Sequence, residues 1–384
     1  MKILFLNSVY GVRSTGKLIA QQCRELTQQG HSCVVAYGRE AVPDGSARLI
    51  RIGSELDQNV HGMYSRLLDA HGLGSARATK TFLSEADKEH FDLVWMHNIH
   101  GYYLHYPLLF QWLKQHSELR VNWTLHDCWA FTGHCAYFTM AHCEKWKTGC
   151  GRCEQLHTYP KALLLDGSRR NYLRKQQAFS GVKNLTLITP SQWLADMTRD
   201  SFLREYPVRV IRNEIDRTVF RPTPSDFRER NGLTDKRIVL GVAVGWEETK
   251  GIQDIIELRA LLDVRYTIVL VGDLTGKQKT LPQGILHISR TKDQKELAAI
   301  YTAADVLVNP THQDNYPTVN LEAAACGTPV VTYRVGGSPE SVPPENAFEE
   351  NDVAGMARRI EEICVASVWR AKQIEVSNES PKGN

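Results

Sequence analysis

Short apolar runs bounded by polar or turn residues recur along the chain: Ile3–Leu6, His31–Tyr37, Leu93–Met96, Val121–Leu125 and Leu185–Thr189. The segments between them are long enough for crossover helices, so the pattern predicts parallel strands covered by helices on both faces. The first unit is clearest: Ile3–Leu6 leads past Gly11 and Gly16 into a helical stretch that stops near Gly30, a residue suited to a helix C-cap. After RPTPSDFRERNGL (221–233), whose two prolines and mixed charges read as a linker, the pattern restarts. Ile238–Val244, Thr267–Gly272, Ile285–Ser289, Asp305–Asn309 and Pro329–Tyr333 form the second series. Two doubly wound α/β domains are expected, 1–205 and 206–384, with ligand bound beyond the carboxyl ends of their strands in a cleft they share.

Length agrees, since 384 residues exceed what one core ordinarily supports. Apolar and charged fractions of 42% and 23% are those of a globular chain and exclude a disordered or fibrous one. A formal charge of +3 is too mild for a nucleic-acid binder, so no nucleic-acid partner is expected. No apolar stretch approaches the roughly 20 residues of a spanning helix. Met1–Phe5 enters a strand directly rather than a secretory leader, which places the chain in the cytoplasm. There, nine cysteines argue against a disulfide framework, yet five crowd between Cys128 and Cys153.

The chemistry concentrates at strand ends. NPTHQDNYPTVNLEAAACGTPVVTYRVGG (309–337) leaves a strand, turns through polar residues and enters a helix at Pro317. A helix start offers unsatisfied N–H groups to an anion. Asp314 in the turn and Glu322 inside the helix are separated by about 8 Å or more along the axis, a spacing that suits the two ends of an extended ligand rather than one metal ion. Asn315 and Tyr316 lie between them. In GVAVGWEETKGIQDII (241–256), Lys250 follows another strand. In the first half, WTLHDCWAFTGHC (123–135) breaks at His126-Asp127, and WMHNIHG (95–101) ends in His97, Asn98 and His100. Each histidine reads either as a ligand contact or as a structural ring. Gly16, with Gly11, would let backbone approach a phosphate closely.

These segments together resemble glycosyltransferase family 4. DNYPTVNLE is similar to its acidic–glutamate motif, with Asp314 in place of the usual first Glu; Lys250 matches its phosphate-clamp lysine. VIRNEIDRTVF (210–220) and GGSPE (336–340) fit in order. Where the family commonly has an arginine this chain has Trp246, which leaves a phosphate cation to be supplied from elsewhere, with Arg212 and Arg334 as candidates. The segment 126–153 is similar to the HDxWxxTGxC…CxxWKTGCxxC pattern of colanic-acid, O-antigen and exopolysaccharide transferases.

The resemblance implies the GT-B architecture, two Rossmann-like domains facing a central cleft, and retaining, metal-independent transfer of a hexosyl unit from a UDP- or GDP-sugar. The acceptor it implies is an oligosaccharide, lipid-linked through undecaprenyl diphosphate, with peripheral contact at the cytoplasmic face of the inner membrane. It nominates His126, Asp127 and Asp314 as catalytic, Gly16, Lys250, Asn315, Tyr316, Pro317 and Glu322 as donor-binding, and His97 and His100 as acceptor-side. For the Cys-rich insertion, 128–153, three states stay open: a structural zinc on Cys135, Cys143, Cys150 and Cys153, reduced thiols, or disulfides. The basic run Lys161, Arg169, Arg170, Arg174 and Lys175 reads as a solvated helix face or as a contact for an anionic membrane or lipid diphosphate. A sugar-nucleotide epimerase of the same fold and a non-catalytic nucleotide-sugar-binding scaffold are the competing readings.

Overall fold

The computed structural model describes residues 1–275, 278 and 280–378, with side chains described as far as 366. The chain divides into two compact units, one ending at Asn213 and the other starting at Glu214.

The first unit runs β1 (Lys2–Tyr10), α1 (Arg13–Gln28), β2 (Ser32–Ala41), β3 (Arg48–Arg51), α2 (Glu55–Leu68), α3 (Ala76–Ala86), β4 (Leu93–Met96), α4 (Tyr106–Gln115), β5 (Arg120–Thr124), α5 (Ser168–Phe179), β6 (Leu185–Thr189), α6 (Gln192–Arg199) and β7 (Val208–Val210). Its strands form one parallel sheet in the order β3-β2-β1-β4-β5-β6-β7. β1 is central, and its residues from Ile3 to Tyr10 are buried, as a strand covered on both faces requires.

The second unit runs α7 (Phe227–Arg230), β8 (Arg237–Trp246), α8 (Ile252–Leu261), β9 (Tyr266–Leu274), β10 (Ile285–Ile288), α9 (Gln294–Ala303), β11 (Val306–Asn309), α10 (Thr318–Ala325), β12 (Val330–Tyr333), β13 (Ala347–Phe348) and α11 (Val353–Asn378). Its parallel sheet has the order β10-β9-β8-β11-β12-β13. α11 buries Val353, Met356, Ala357, Ile360 and Cys364 in the core beside β12 and α8.

All ten strands expected from the apolar runs are present. The three that the runs do not mark, β3, β7 and β13, are edge strands or nearly so, short and only partly covered. β7 also moves the division: it pairs with β6, so the first unit continues past residue 205 to Asn213.

Each sheet reverses its strand order at one place, between β1 and β4 in the first and between β8 and β11 in the second. At such a switch point adjacent loops leave in opposite directions and open a crevice at the strands' carboxyl ends. The first switch point carries Gly11 and Gly16 on one side and His97 on the other; the second carries Lys250 and the 310–317 loop.

Candidate functional site

At the second switch point, Lys250 Nζ lies 2.8 Å from Asp314 Oδ2 and donates to Gln313 O at 3.3 Å. Thr311 Oγ1 and His312 N both donate to Thr249 O, at 3.3 and 3.0 Å, so the lysine turn and the aspartate loop are stitched together. The Lys-Gly order is a steric demand: Gly251 has φ +72°, and a Cβ there would stand 2.1 Å from Pro310 O. Beneath the loop, His312 Nε2 meets Asp254 Oδ2 at 2.9 Å and its Nδ1 meets Glu350 Oε1 at 2.6 Å. Carboxylate oxygens accept, so both ring nitrogens must donate and the ring is an imidazolium. The Asp254 bond first, and then Glu350 against the opposing effect of burial, raises the His312 pKa.

α10 starts at Thr318, with buried Pro317 as its N-cap and no side-chain cap, one residue later than the sequence suggests. Asn309 Nδ2 donates to Asn320 Oδ1 at 2.9 Å, and Asn320 Nδ2 donates to Ser341 Oγ at 2.9 Å, a buried chain that fixes the helix against β11. Glu322 accepts from Tyr301 Oη at 3.0 Å. Burial, and then the Glu322 carboxylate, push the Tyr301 hydroxyl far above its usual range, so it stays a donor. Asp314, Asn315, Tyr316, Pro317 and Glu322 thus occupy one loop–helix joint. Trp246 does not take the place of a cation: it is buried, its Nε1 donates to Val271 O at 3.1 Å, and it belongs to the core. Arg334, one candidate substitute, lies 3.4 Å from Glu349.

At the first switch point, Gly11 N donates to Gly16 O at 2.9 Å, and a Cβ on Gly16 would crowd Val9 Cγ2 at 3.0 Å. His126 follows β5 and is partly open. His97 Nδ1 and His126 Nε2 stand 3.0 Å apart and the rings stack at 5.2 Å. His100 Nε2 lies 3.2 Å from Asp127 Oδ2 and its Nδ1 3.3 Å from Tyr159 Oη, while Trp129 N donates to Asp127 Oδ1 at 2.9 Å. Burial depresses the His126 pKa to about 4, against the pull of Asp127. Burial, with the neighbouring His126, also holds His97 well below its ordinary value. Burial would raise Asp127, but the neighbouring His100 and the backbone donor outweigh it and hold the carboxyl below its usual range.

His97 and His100, nominated as acceptor-side residues, are buried, at 2% and 7% exposure, directly behind His126 and Asp127. Sequence reasoning also missed His71, whose Nε2 accepts from Gly101 N at 3.3 Å beside His100 and Trp129. Its distance from the HD motif in sequence hides it.

For the Cys-rich insertion, zinc, reduced thiols and disulfides are the three open states, and the structure shows the sulfurs without a disulfide. A tetrahedral thiolate site needs four converging sulfurs. Cys135 and Cys153 hydrogen-bond each other, and Cys150 Sγ, which is near both Cys143 and Cys153, accepts from Gly133 N at 3.1 Å. Among the described residues no group of three or more His, Cys, Asp or Glu side chains is placed to hold a metal ion, and no cysteine forms a disulfide. The insertion is held by aromatic packing of Phe131 and Phe138 on Trp146 and by the His134–Asp69 pair at 2.6 Å. Lys175 is likewise not on the basic surface: it is buried, donates to Trp129 O and Thr132 O at 2.6 and 3.0 Å, and sits 3.6 Å from the Trp129 ring centroid. Burial lowers its pKa to about 7.

Comparison with known proteins agrees with this layout. The family described as Glycosyltransferase Family 4 matches residues 15–219, and that described as Glycosyl transferases group 1 matches residues 236–365. A protein of Escherichia coli named as a colanic acid biosynthesis glycosyl transferase, WcaC, is 30% identical over 61% of this chain and 58% of its own length. A D-inositol 3-phosphate glycosyltransferase of Arthrobacter is 31% identical over 52% of this chain and 55% of its own. The chain therefore spans little more than half the length of these relatives. Among solved structures, sucrose-phosphate synthase of Thermosynechococcus elongatus superposes with a TM-score of 0.65 at 18% identity, covering 96% of this chain and 90% of that one. HepE of Anabaena in complex with UDP-glucose gives 0.59 at 17% identity, covering 96% and 91%. WaaG, a glycosyltransferase involved in lipopolysaccharide biosynthesis, gives 0.58 at 17%, covering 93% and 90%. The two parallel-sheet units thus have the fold of GT-B glycosyltransferases.

Proposed function

This chain belongs to glycosyltransferase family 4, and from that premise we propose that it moves a hexosyl unit from a UDP- or GDP-sugar to an oligosaccharide acceptor carried on undecaprenyl diphosphate, in the assembly of a surface polysaccharide. The observation that carries this reading is the loop–helix joint of the second unit, which holds two carboxylates in place, Asp314 through Lys250 and the Asn315 N–H and Glu322 through Tyr301. Glu322, oriented by a hydroxyl that only donates to it, accepts from the ribose hydroxyls. The N–H groups at the start of α10 and the Lys250 ammonium meet the diphosphate, and Asp314, released from Lys250 as the phosphate arrives, accepts from hydroxyls on the sugar.

In the reaction the bond between the anomeric carbon and the phosphate oxygen breaks while the acceptor oxygen bonds the same carbon from the same face. The acceptor proton passes to the departing phosphate oxygen, so configuration is retained and no metal is required. Charge develops on the diphosphate, where fixed N–H dipoles and Lys250 stabilise it. His126, neutral and held by His97, presents a hydrogen-bonding group to the sugar, and Asp127, fixed by His100 and the Trp129 N–H, supports that loop. His97 and His100 act as positioning residues.

The test is a panel of UDP- and GDP-sugars incubated with membrane-extracted lipid-linked acceptor, alongside Glu322→Ala. Transfer with an unchanged anomeric configuration is expected. Losing a charge-assisted hydrogen bond of about 1.5–3 kcal/mol should weaken nucleotide affinity roughly 10- to 150-fold in the variant. Tight nucleotide binding without transfer would favour a scaffold, and an epimerised donor formed without acceptor would favour an epimerase.

A further inference from the structure

A chain of three side chains, Tyr159, His100 and Asp127, runs inward from an exposed phenol in the first unit. Tyr159 is 48% exposed, yet its Oη lies 3.3 Å from Nδ1 of buried His100. His100 Nε2 in turn lies 3.2 Å from Asp127 Oδ2. A carboxylate only accepts, so it draws a ring proton to Nε2 and leaves Nδ1 to accept from the Tyr159 O–H. Burial first, and then Tyr102 and Asp127, push the Tyr159 hydroxyl above its usual range, so it stays protonated. With that proton committed to His100, the phenol oxygen can offer a ligand only its lone pairs.

Tyr159 is held in place by more than this bond. Its carbonyl accepts from Ala136 N at 3.3 Å, which ties it to the loop after β5. Its ring stands edge-on to His71, with centroids 5.7 Å apart and planes at 81°. A second tyrosine, Tyr102, lies 4.8 Å from the same histidine. Tyr102 has φ +69°, a left-handed backbone that a bulky side chain rarely adopts and that persists only where the surroundings impose it. Here Gly101 N donates to His71 Nε2 at 3.3 Å on one side of it, and Tyr103 Oη donates to Asn98 O at 3.0 Å on the other. The Tyr102 ring also meets His61 edge-on at 5.9 Å. The strained residue thus sets two tyrosine rings around one histidine, beside the carboxyl ends of β4 and β5.

We propose that Tyr159 and Tyr102 form the subsite for a pyranose ring of the acceptor, with the Tyr159 ring against the sugar's C–H face and its oxygen accepting from a sugar hydroxyl. An aromatic face beside an oxygen that only accepts matches a pyranose, which offers C–H groups on its face and O–H donors around its rim. His100 and Asp127 are positioning residues here, since they fix which way the phenol proton points. The inference rests on the transfer reading and names the side chains that select the acceptor sugar.

The test is saturation-transfer NMR of the full chain, without nucleotide, against the methyl pyranosides of glucose, galactose, mannose and N-acetylglucosamine. Transfer to the ring C–H protons of at least one of them is expected. Tyr159→Phe should weaken that binding about 2- to 12-fold, the loss of one neutral hydrogen bond, and Tyr159→Ala about tenfold or more. The deoxy sugar lacking the donating hydroxyl should bind parent and Tyr159→Phe alike, because neither pair can make the bond. Melting temperature and UDP affinity equal to the parent's show that a variant is folded; should Tyr159→Ala fail this check, the Tyr159→Phe and deoxy-sugar pair still decides. Failure of every pyranoside to bind the parent overturns the proposal, and so does binding to Tyr159→Phe as tight as to the parent. In turnover, Tyr159→Phe should raise the acceptor KM by the factor seen in binding. Pyranoside binding that depends on Tyr159, with no transfer from any UDP- or GDP-sugar, would refute the transfer reading and leave this subsite standing. Transfer whose acceptor KM ignores both substitutions would do the reverse.

Discussion

Replacing His312 by alanine removes a side chain that bridges α8 to the segment after β13 beneath the Asp314 loop. Its Nε2–Asp254 bond joins two side chains that are each only 10% exposed, whereas Glu350 on the other side is 36% exposed and contributes less. The variant leaves Asp254 buried with Tyr333 Oη, 2.6 Å away, as its remaining side-chain donor in this cluster. A lost bond between charged groups plus a carboxylate stripped of its cation costs about 2–4 kcal/mol. For a unit of this size that is about 4–16 °C in the midpoint of its thermal transition. The cost depends on pH. The folded pKa of His312 lies above its ordinary 6.5, so its contribution is complete below 6.5 and is lost as pH rises through the folded value. Asp254, held low against burial by His312 and Tyr333, contributes above 3.8 and loses that contribution as pH falls through its folded value. Calorimetry of parent and variant at pH 6 and pH 9.5 should therefore show a wide gap at the lower pH and a narrower one at the higher. An equal gap at both would refute the imidazolium, and no gap would refute the bridge.

Lys175 gives the opposite slope. With its pKa lowered to about 7 from 10.5, the unfolded chain holds a proton across that interval that the folded chain does not, so stability rises with pH there; Lys175→Met should flatten that rise while leaving Trp129 O and Thr132 O without their donor. At the first switch point, His126→Ala should lower kcat about 100-fold with little change in donor affinity. His97→Ala should reproduce part of that loss because the 3.0 Å partner of His126 is gone. Equal kcat in parent and both variants would remove His126 from the reaction.

The strands were legible because a parallel sheet covered on both faces must be built from nearly continuous apolar residues, as β1 is. β3, β7 and β13 escaped because RLIR, VRV and AF hold only one or two consecutive apolar residues, too few to stand out as a run. The motif residues were legible through residue type and position at a strand's carboxyl end. Strand order was not, and it is the order that makes the ends of β1 and β4, and of β8 and β11, the places where loops diverge. Cysteine spacing suggested a metal because CxxC pairs sulfurs locally; whether four converge depends on how the loop folds over Trp146 and Lys175, which spacing does not encode.

The partners decide what each group can do, and they are the least local information in the chain. Lys250 and Asp314 are 64 residues apart in sequence, and His97 and His126 are 29 apart. A histidine at a strand end can read as an acceptor contact or a structural ring, and pattern gives no means of choosing. Burial chooses: His97, closed off at 2% exposure, can only act through the ring it touches, while partly open His126 keeps the nearer position. The same logic runs in reverse in α2, which buries Gln58, His61, Gly62 and Ser65 and exposes Leu56 and Leu67, so that a sequence reader would assign the leucine face to the core. A helix whose polar side is locked inward by bonds to Gly38, Ser75 and Gly74 can expose its leucines without losing its place.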